Sequence, residues 1–165
     1  MVRNIVPART TDYQVLVSAL VNAFGDRLKL VILFGSQSRG EAHADSDHGI
    51  FVVVEGLPDD PLVRQRLVMT PLLPDLFRLP ERLSLVAKTP DELLHHLTPL
   101  VIDIFVDGVS LYGQECFESL RRQIRQTLQD SGMTRRRIAG AWMWAFPALP
   151  EKEWAVTWDG YREQL

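Results

Sequence analysis

The amino-acid sequence predicts an α/β (α+β) domain: a twisted mixed sheet of about four or five strands, helices on one face and a helical C-terminal extension. Three observations carry that expectation. Short runs of branched and aromatic residues, as at 28–34 and 50–54, alternate with segments whose apolar residues recur three and four apart. The length of 165 residues suits one domain. Hydrophobic residues make up 46% and charged residues 24%, which gives enough apolar surface for a core and argues against disorder.

Tyr13, Leu16, Val17, Leu20, Val21 and Phe24 form the stripe of an amphipathic helix, with Thr10 or Thr11 as its cap and Gly25 as its stop. Residues 28–34, closed by Gly35, read as a buried strand. A polar stretch from 35 to 47 leads into a second buried strand over 50–54, ended by Gly56 and Pro58. From 60 to 77 the pattern is helical, but Pro71 and Pro74 break or kink it near Thr70. Residues 82–88 form a third strand, after which Thr89, Pro90, Asp91 and Glu92 supply a cap, a first-turn proline and helix-start acids. That helix runs toward Val106. The text Ile102-Asp103-Ile104-Phe105 also reads as a strand, yet Leu93, Leu94, Leu97, Val101 and Ile104 recur at three and four and favour the helix. Asp107-Gly108 makes a turn, 109–112 a short strand, and 114–129 an amphipathic helix ended by Gly132. The expected division is a domain over 1–113 and a helical, Trp-rich extension over 114–165 packed on it. The extension holds Trp142, Trp144, Trp154, Trp158 and the run Arg135-Arg136-Arg137.

Eighteen Lys plus Arg against twenty-one Asp plus Glu leave a net charge of −3, so any anion-binding surface must be local. With Cys116 alone there is neither an internal disulfide nor a cysteine-rich metal site, which suits a reducing compartment. In helical text Cys116 reads as a small buried hydrophobe. The longest apolar run, 28–34, contains Lys29 and falls far short of the roughly 20 residues that span a bilayer. Residues 1–9 lack the apolar centre of a leader peptide. A cytoplasmic protein with no membrane role is expected.

The chemically informative text is the loop from Leu33 to Asp47. A buried strand that ends in Gly35-Ser36 and opens a short helix offers close backbone approach, a hydroxyl and free amides, which is what phosphate binding needs. It is neither a Walker loop nor a dinucleotide glycine fingerprint. Taken singly, Ser36 also reads as a helix cap, Asp47 as a turn residue and Arg39 as a solvated loop residue. His95 and His96 have no acid or cysteine at ligand spacing and read as surface residues.

Phe34-Gly35-Ser36, Arg39-Gly40, Ala42 and Ser46-Asp47 ahead of a hydrophobic strand resemble the signature of the nucleotidyltransferase superfamily. That superfamily includes DNA polymerase beta, the kanamycin nucleotidyltransferases and the minimal nucleotidyltransferases of bacteria. Residues 107–113 resemble the segment that closes such a domain. The resemblance implies that Gly35, Ser36 and Arg39 hold a nucleoside triphosphate and that Asp47 is a catalytic residue and the first magnesium ligand. It implies two magnesium ions held by carboxylates of adjacent strands, and transfer of a nucleoside monophosphate to a hydroxyl acceptor. A protein or small-molecule acceptor is expected before a nucleic acid.

Against that pattern the metal site is incomplete. The second ligand belongs two residues beyond Asp47, because period two puts both carboxylates on one strand face. Gly49 stands there. The third belongs a few residues ahead of Thr89-Pro90, where Ser84 lies and no acid occurs between 82 and 88. Asp45 is an alternative ligand if the strand starts early, and Glu41 and Asp45 can approach through loop geometry. His48 falls on the opposite face and nitrogen is a poor magnesium ligand. The expectation is therefore an impaired transferase, with a catalytically inactive nucleotide-binding or antitoxin-like partner protein as the alternative. The arginines at 121, 122, 125 and 135–137 read as solvated faces or as a contact for an RNA or acidic partner, without the interleaved aromatics of a single-strand binding face. The tryptophans are expected to pack the extension onto the domain, onto a second copy in a homodimer, or onto a partner protein.

Overall fold

The branched-residue runs form a four-stranded sheet of order β3-β2-β1-β4 in the computed structural model, which describes residues 13–40, 46–146, 148 and 154–163. Its central strands are β1 (Leu28–Phe34) and β2 (His48–Val54), antiparallel from Leu28 opposite Val54 to Phe34 opposite Gly49. β3 (Leu83–Lys88) runs parallel to β2, from His48 beside Leu83 to Val53 beside Lys88. β4 (Val109–Tyr112) is antiparallel to β1 on the other edge. The sheet is mixed, as expected, and the central pair is buried almost throughout, which is why its sequence reads as continuous rather than alternating. β2 begins at His48, two residues earlier than the apolar run alone indicated.

On one face, α1 (Gln14–Phe24), α3 (Pro61–Met69) and a 3-10 helix over Thr70–Arg78 place Leu16, Leu20, Val68 and Leu72 against Leu33, Ile50 and Val52. On the other, α4 (Pro90–His95), α5 (Pro99–Asp107) and α6 (Gln114–Ser131) place Leu93, Ile104, Phe105, Phe117 and Ile124 against Leu30, Ile32, Phe51 and Val53. Helices therefore cover both faces rather than one. The reason is energetic. Cover on one side only would leave four large side chains of β1 and β2 in water, at about 1.5–3 kcal/mol each.

The break near Thr70 falls where the prolines place it. The single helix expected up to Val106 is instead two, because Thr98 caps α5 through the Val101 amide (3.3 Å) with Pro99 in its first turn. Asp103 lies on α5, as the periodicity indicated. The expected caps Thr10 and Thr11 lie outside the described residues.

Beyond α6, which ends at the left-handed Gly132, the chain is not helical as expected but forms two hairpins. β5 (Thr134–Ile138) pairs with β6 (Ala141–Ala145), and β7 (Trp154–Thr157) with β8 (Gly160–Glu163). The two-residue loop Ala139-Gly140 has φ of 49° and 82°, the positive values that a tight hairpin turn requires. Trp144 and Trp158 then close the second core face. Trp158 stands edge-on to Phe105 at 5.5 Å and donates Nε1–H to the Leu93 carbonyl at 2.7 Å. Among the described residues, no helix is long and apolar enough to cross a membrane.

One polar cluster ties α3 to the edge strand and to α4. Arg64 donates Nε–H to the Pro58 carbonyl (2.8 Å) and Nη1–H to Glu92 Oε2 (2.7 Å), while the same carboxylate accepts the Thr89 amide (2.9 Å) as half of a capping box. The hydrogen bond from Arg64 holds the Glu92 carboxyl at about 2, against an ordinary 4.5. A depressed carboxyl favours the fold above its unfolded value and ceases to do so as pH falls through the folded one. Glu92→Gln is therefore expected to cost about 1–2 kcal/mol at neutral pH. Urea unfolding at stepped pH should show that difference intact above about pH 4.5 and shrinking toward pH 2. A difference independent of pH would rule out the ion pair as its source.

Candidate functional site

At the end of β1 the chain leaves the sheet through Gly35, whose φ of 82° and ψ of −154° lie in a region nearly closed to other residues. A side-chain carbon built there would meet nothing within 4 Å, so the backbone angle rather than crowding demands the glycine. The open space also permits close approach to the turn. α2 (Ser36–Arg39) follows. The Gly35 carbonyl accepts the amides of Ser38 (3.2 Å) and Arg39 (3.3 Å) and the Ser38 hydroxyl (2.8 Å), and left-handed Gly40 closes the turn. The amides of Ser36 and Gln37, first in this turn, have no intrahelical acceptor.

His48, the first residue of β2, fastens that turn to the sheet. Its Nδ1 lies 2.7 Å from the hydroxyl of Tyr13, and its Nε2 lies 3.4 Å from Nε2 of Gln37. Tyr13 and Gln37 are 2% and 5% exposed, so three elements meet in a polar contact shielded from water. Sequence reasoning set His48 aside as a poor metal ligand and missed this role. The only signal was a histidine at the strand start, one residue past the acid, and its partners lie 35 and 11 residues away.

His48 faces α1, so by strand alternation Gly49 presents to the opposite face. There Gly49 sits between Phe34 on β1 and Ser84 on β3. The two positions where acids were expected are thus neighbours, and neither carries one. A side-chain carbon at Gly49 would lie 3.0 Å from Cζ and from the carbonyl oxygen of Phe34, whose ring occupies the space. Asp47 is exposed immediately before β2. Asp45 and Glu41 lie outside the described residues. Among the described residues, no three His, Cys, Asp or Glu side chains gather to hold a metal. Magnesium takes six oxygens in near-octahedral array, and among the described residues one exposed carboxylate beside a glycine and a serine does not fit a two-metal site.

Arg39 lies at the other side of the turn, its Nη1 4.0 Å from Asp107 Oδ2 at the end of α5. Asp107 is also held by Arg135 of β5, through Nη2 to Oδ1 at 2.8 Å and through a short contact from Nη1 to Oδ2. Asp103, one turn earlier, accepts Trp144 Nε1–H at 2.8 Å. Asp103 is therefore an anchor for the first hairpin. Arg39 thereby reaches the end of α5, and Ser36 opens the turn that follows the Phe34 and Gly49 rung in the chain. His95 bonds the Asp91 carbonyl through Nδ1 at 2.6 Å on the exposed side of α4, in keeping with a surface role. Cys116 is exposed on α6, not buried, because Phe117 and Ile124 take the core-facing stripe.

No family model matches the chain. Over 95 residues it is 30% identical to a Methanocaldococcus jannaschii protein named "putative protein adenylyltransferase", a match that covers 57% of this chain and 65% of that protein. The chain thus spans 65% of the length of the curated relative it matches. One chain of a toxin–antitoxin crystal structure with AMP-PNP is 22% identical at a TM-score of 0.46, over 75% of this chain and 92% of that one. One chain of a complex between a tri-AMPylated Shewanella oneidensis HEPN toxin and an MNT antitoxin is 20% identical at a TM-score of 0.44, over 74% of this chain and 90% of that one. The sequence likeness to a protein of that name is consistent with the resemblance to the nucleotidyltransferase superfamily.

The contact at His48 makes a local prediction. Tyr13→Phe removes one polar partner and is expected to lower stability by about 1 kcal/mol while leaving the hydrophobic packing of α1 in place. Hydrogen exchange in the same variant should show faster opening of 36–40 than of β1. Uniform acceleration across both segments would assign Tyr13 to the core alone.

Proposed function

We propose that this chain is a nucleoside triphosphate-binding protein of the nucleotidyltransferase type in which nucleotidyl transfer is disabled or strongly impaired, and that it acts with a partner protein. The observation that supports this best is the rung Phe34–Gly49–Ser84, which carries no acid at either position where the superfamily pattern expects one. In this reading the turn at Gly35, with the backbone amides of Ser36 and Gln37, the Ser36 hydroxyl and the Arg39 guanidinium, receives the phosphates. A turn with free amides and a nearby cation is suited to that task without further machinery. Asp47 is left as the one acid of the expected set.

Charge balance is why binding can survive where chemistry does not. Binding uses donors already present in the ground state, whereas transfer needs charge developing on the phosphate and the leaving pyrophosphate to be neutralised. Single groups of that kind are each worth about 3 kcal/mol, roughly a hundredfold in rate. Two absent carboxylates therefore lower turnover by about four orders of magnitude on that scale.

The second reading keeps the activity, with a nucleoside monophosphate passed to a hydroxyl of a protein acceptor. It is favoured by the name of the Methanocaldococcus jannaschii relative, a protein adenylyltransferase. Calorimetry of the full chain with ATP, in magnesium and again in chelator, tests the binding claim. Binding in the native chain and its loss in Gly35→Val is the expected result, because valine cannot adopt φ near 82°. Incubation with α-labelled ATP should leave the native chain and candidate protein acceptors unlabelled. The double substitution Gly49→Asp with Ser84→Asp should raise labelling by at least about a hundredfold. Labelling of a protein by the native chain would establish the second reading, and absence of ATP binding would remove the first.

A further inference from the structure

We infer that the β5–β6 hairpin is a docking surface for an acidic segment of a partner protein. Residues 133–146 contain three arginines and no acid, in a chain whose net charge is −3. The register separates those arginines by function. Arg135, opposite Trp144, turns toward the domain and bonds Asp107, while Trp144 bonds Asp103, so this rung attaches the hairpin. Arg136 and Arg137 are exposed and form no ion pair with a described residue. Their cross-strand neighbours are Met143 and Trp142, 51% and 47% exposed, and Ile138 at the hairpin end is 49% exposed. By strand alternation Arg137 and Trp142 share the face of the anchoring rung near the hairpin tip, while Arg136, Met143 and Ile138 share the face turned away from Asp107. An exposed cation among apolar side chains is the composition of a protein-binding patch rather than of a solvated ribbon.

The charge selects an anionic occupant, and the ring geometry selects its class. Single-stranded nucleic acid needs open aromatic faces on which bases stack. Here the Arg135 and Arg137 guanidinium groups lie over the Trp142 ring at 5.7 and 5.8 Å, and Arg135 lies over Trp144 at 5.2 Å. The aromatic groups are thus committed to cations, and those cations present donors to carboxylates. Pairing of this hairpin with its own equivalent in a second copy would bring the two arginine runs together across the two-fold and is disfavoured by their like charge. An acidic protein segment with apolar residues between its carboxylates satisfies both the charge and the Met143 and Ile138 side chains. The attachment through Asp107, which also faces Arg39, sets this surface beside the proposed phosphate turn.

This inference deepens the partner-protein part of the reading above and does not depend on its nucleotide part. The full chain is titrated with a synthetic peptide of alternating Glu and Leu, with its Lys-for-Glu counterpart and with oligouridylate, followed by calorimetry and tryptophan fluorescence. The Glu peptide should bind with an affinity that falls with salt, and Arg136→Glu with Arg137→Glu should weaken it by at least about tenfold. Ile138→Ser with Met143→Ser should weaken it too, and neither pair should alter ATP affinity. Sedimentation checks that both variants remain folded and that the native chain stays in one oligomeric state. Binding of oligouridylate in place of the peptide, self-association abolished by the same substitutions, or peptide binding indifferent to them would each overturn the inference. Loss of ATP binding alone would strike the nucleotide reading and leave this surface standing.

Discussion

The antiparallel pairing of β1 with β2 is the constraint on which the rest depends. It joins two strands that are apolar on both sides, so it cannot be stable until helices cover both faces, and that requirement fixes the three-layer arrangement. It also sets the geometry of the candidate site. The rung of Phe34 and Gly49 brings the exit of β1 and the entry of β2 to one end of the sheet, so the glycine turn and Asp47 emerge side by side. A register shift of one residue would exchange the faces of His48 and Gly49 and dismantle the contact with Tyr13.

The site built on that rung is asymmetric. On the α1 side, His48 is held by Tyr13 and faced by Gln37, a polar contact that orders the start of the strand. On the other side, the row Phe34, Gly49 and Ser84 is apolar or neutral. The positive groups gather at the far side of the turn, where Arg39 and Arg135 converge on Asp107. Among the described residues, cationic groups therefore lie at one side of the turn and no acid lies on the other side's rung. The first hairpin links this cationic end to the exposed arginine and tryptophan rungs, so the C-terminal segment is continuous with the site rather than a separate appendage.

Much of this was legible beforehand where local rules act without competition. The buried central strands, the cap at Thr89, the break near Thr70 and the helical position of Asp103 all follow from spacing and turn chemistry within a few residues. The place of Ser84 in the third strand also follows from its distance to Thr89 and Pro90, whereas its pairing beside Gly49 comes from the strand register. The misreadings have a common origin. Thr98 and Pro99 restart a helix inside a periodic run, and the extension expected to be helical, with its tryptophans packing it onto the domain, forms two hairpins beyond Gly132. In the hairpin the same residues are cross-strand partners, and Arg137 pairs with Trp142 across a two-residue turn that separates nothing in space.

The sequence by itself determined the α/β class, the strand-ending turn at Gly35 and Ser36, and the want of acids at 49 and 84, because each is a property of residue type at a fixed local spacing. Tertiary structure alone decided that helices cover both faces, that His48 meets Tyr13, that Asp103 and Asp107 serve the hairpin, and that the arginine run divides into the anchor Arg135 and the exposed Arg136 and Arg137. Those outcomes depend on contacts between segments 28 to 41 residues apart, where loop closure and packing against a shared core choose among partners that local propensity cannot rank.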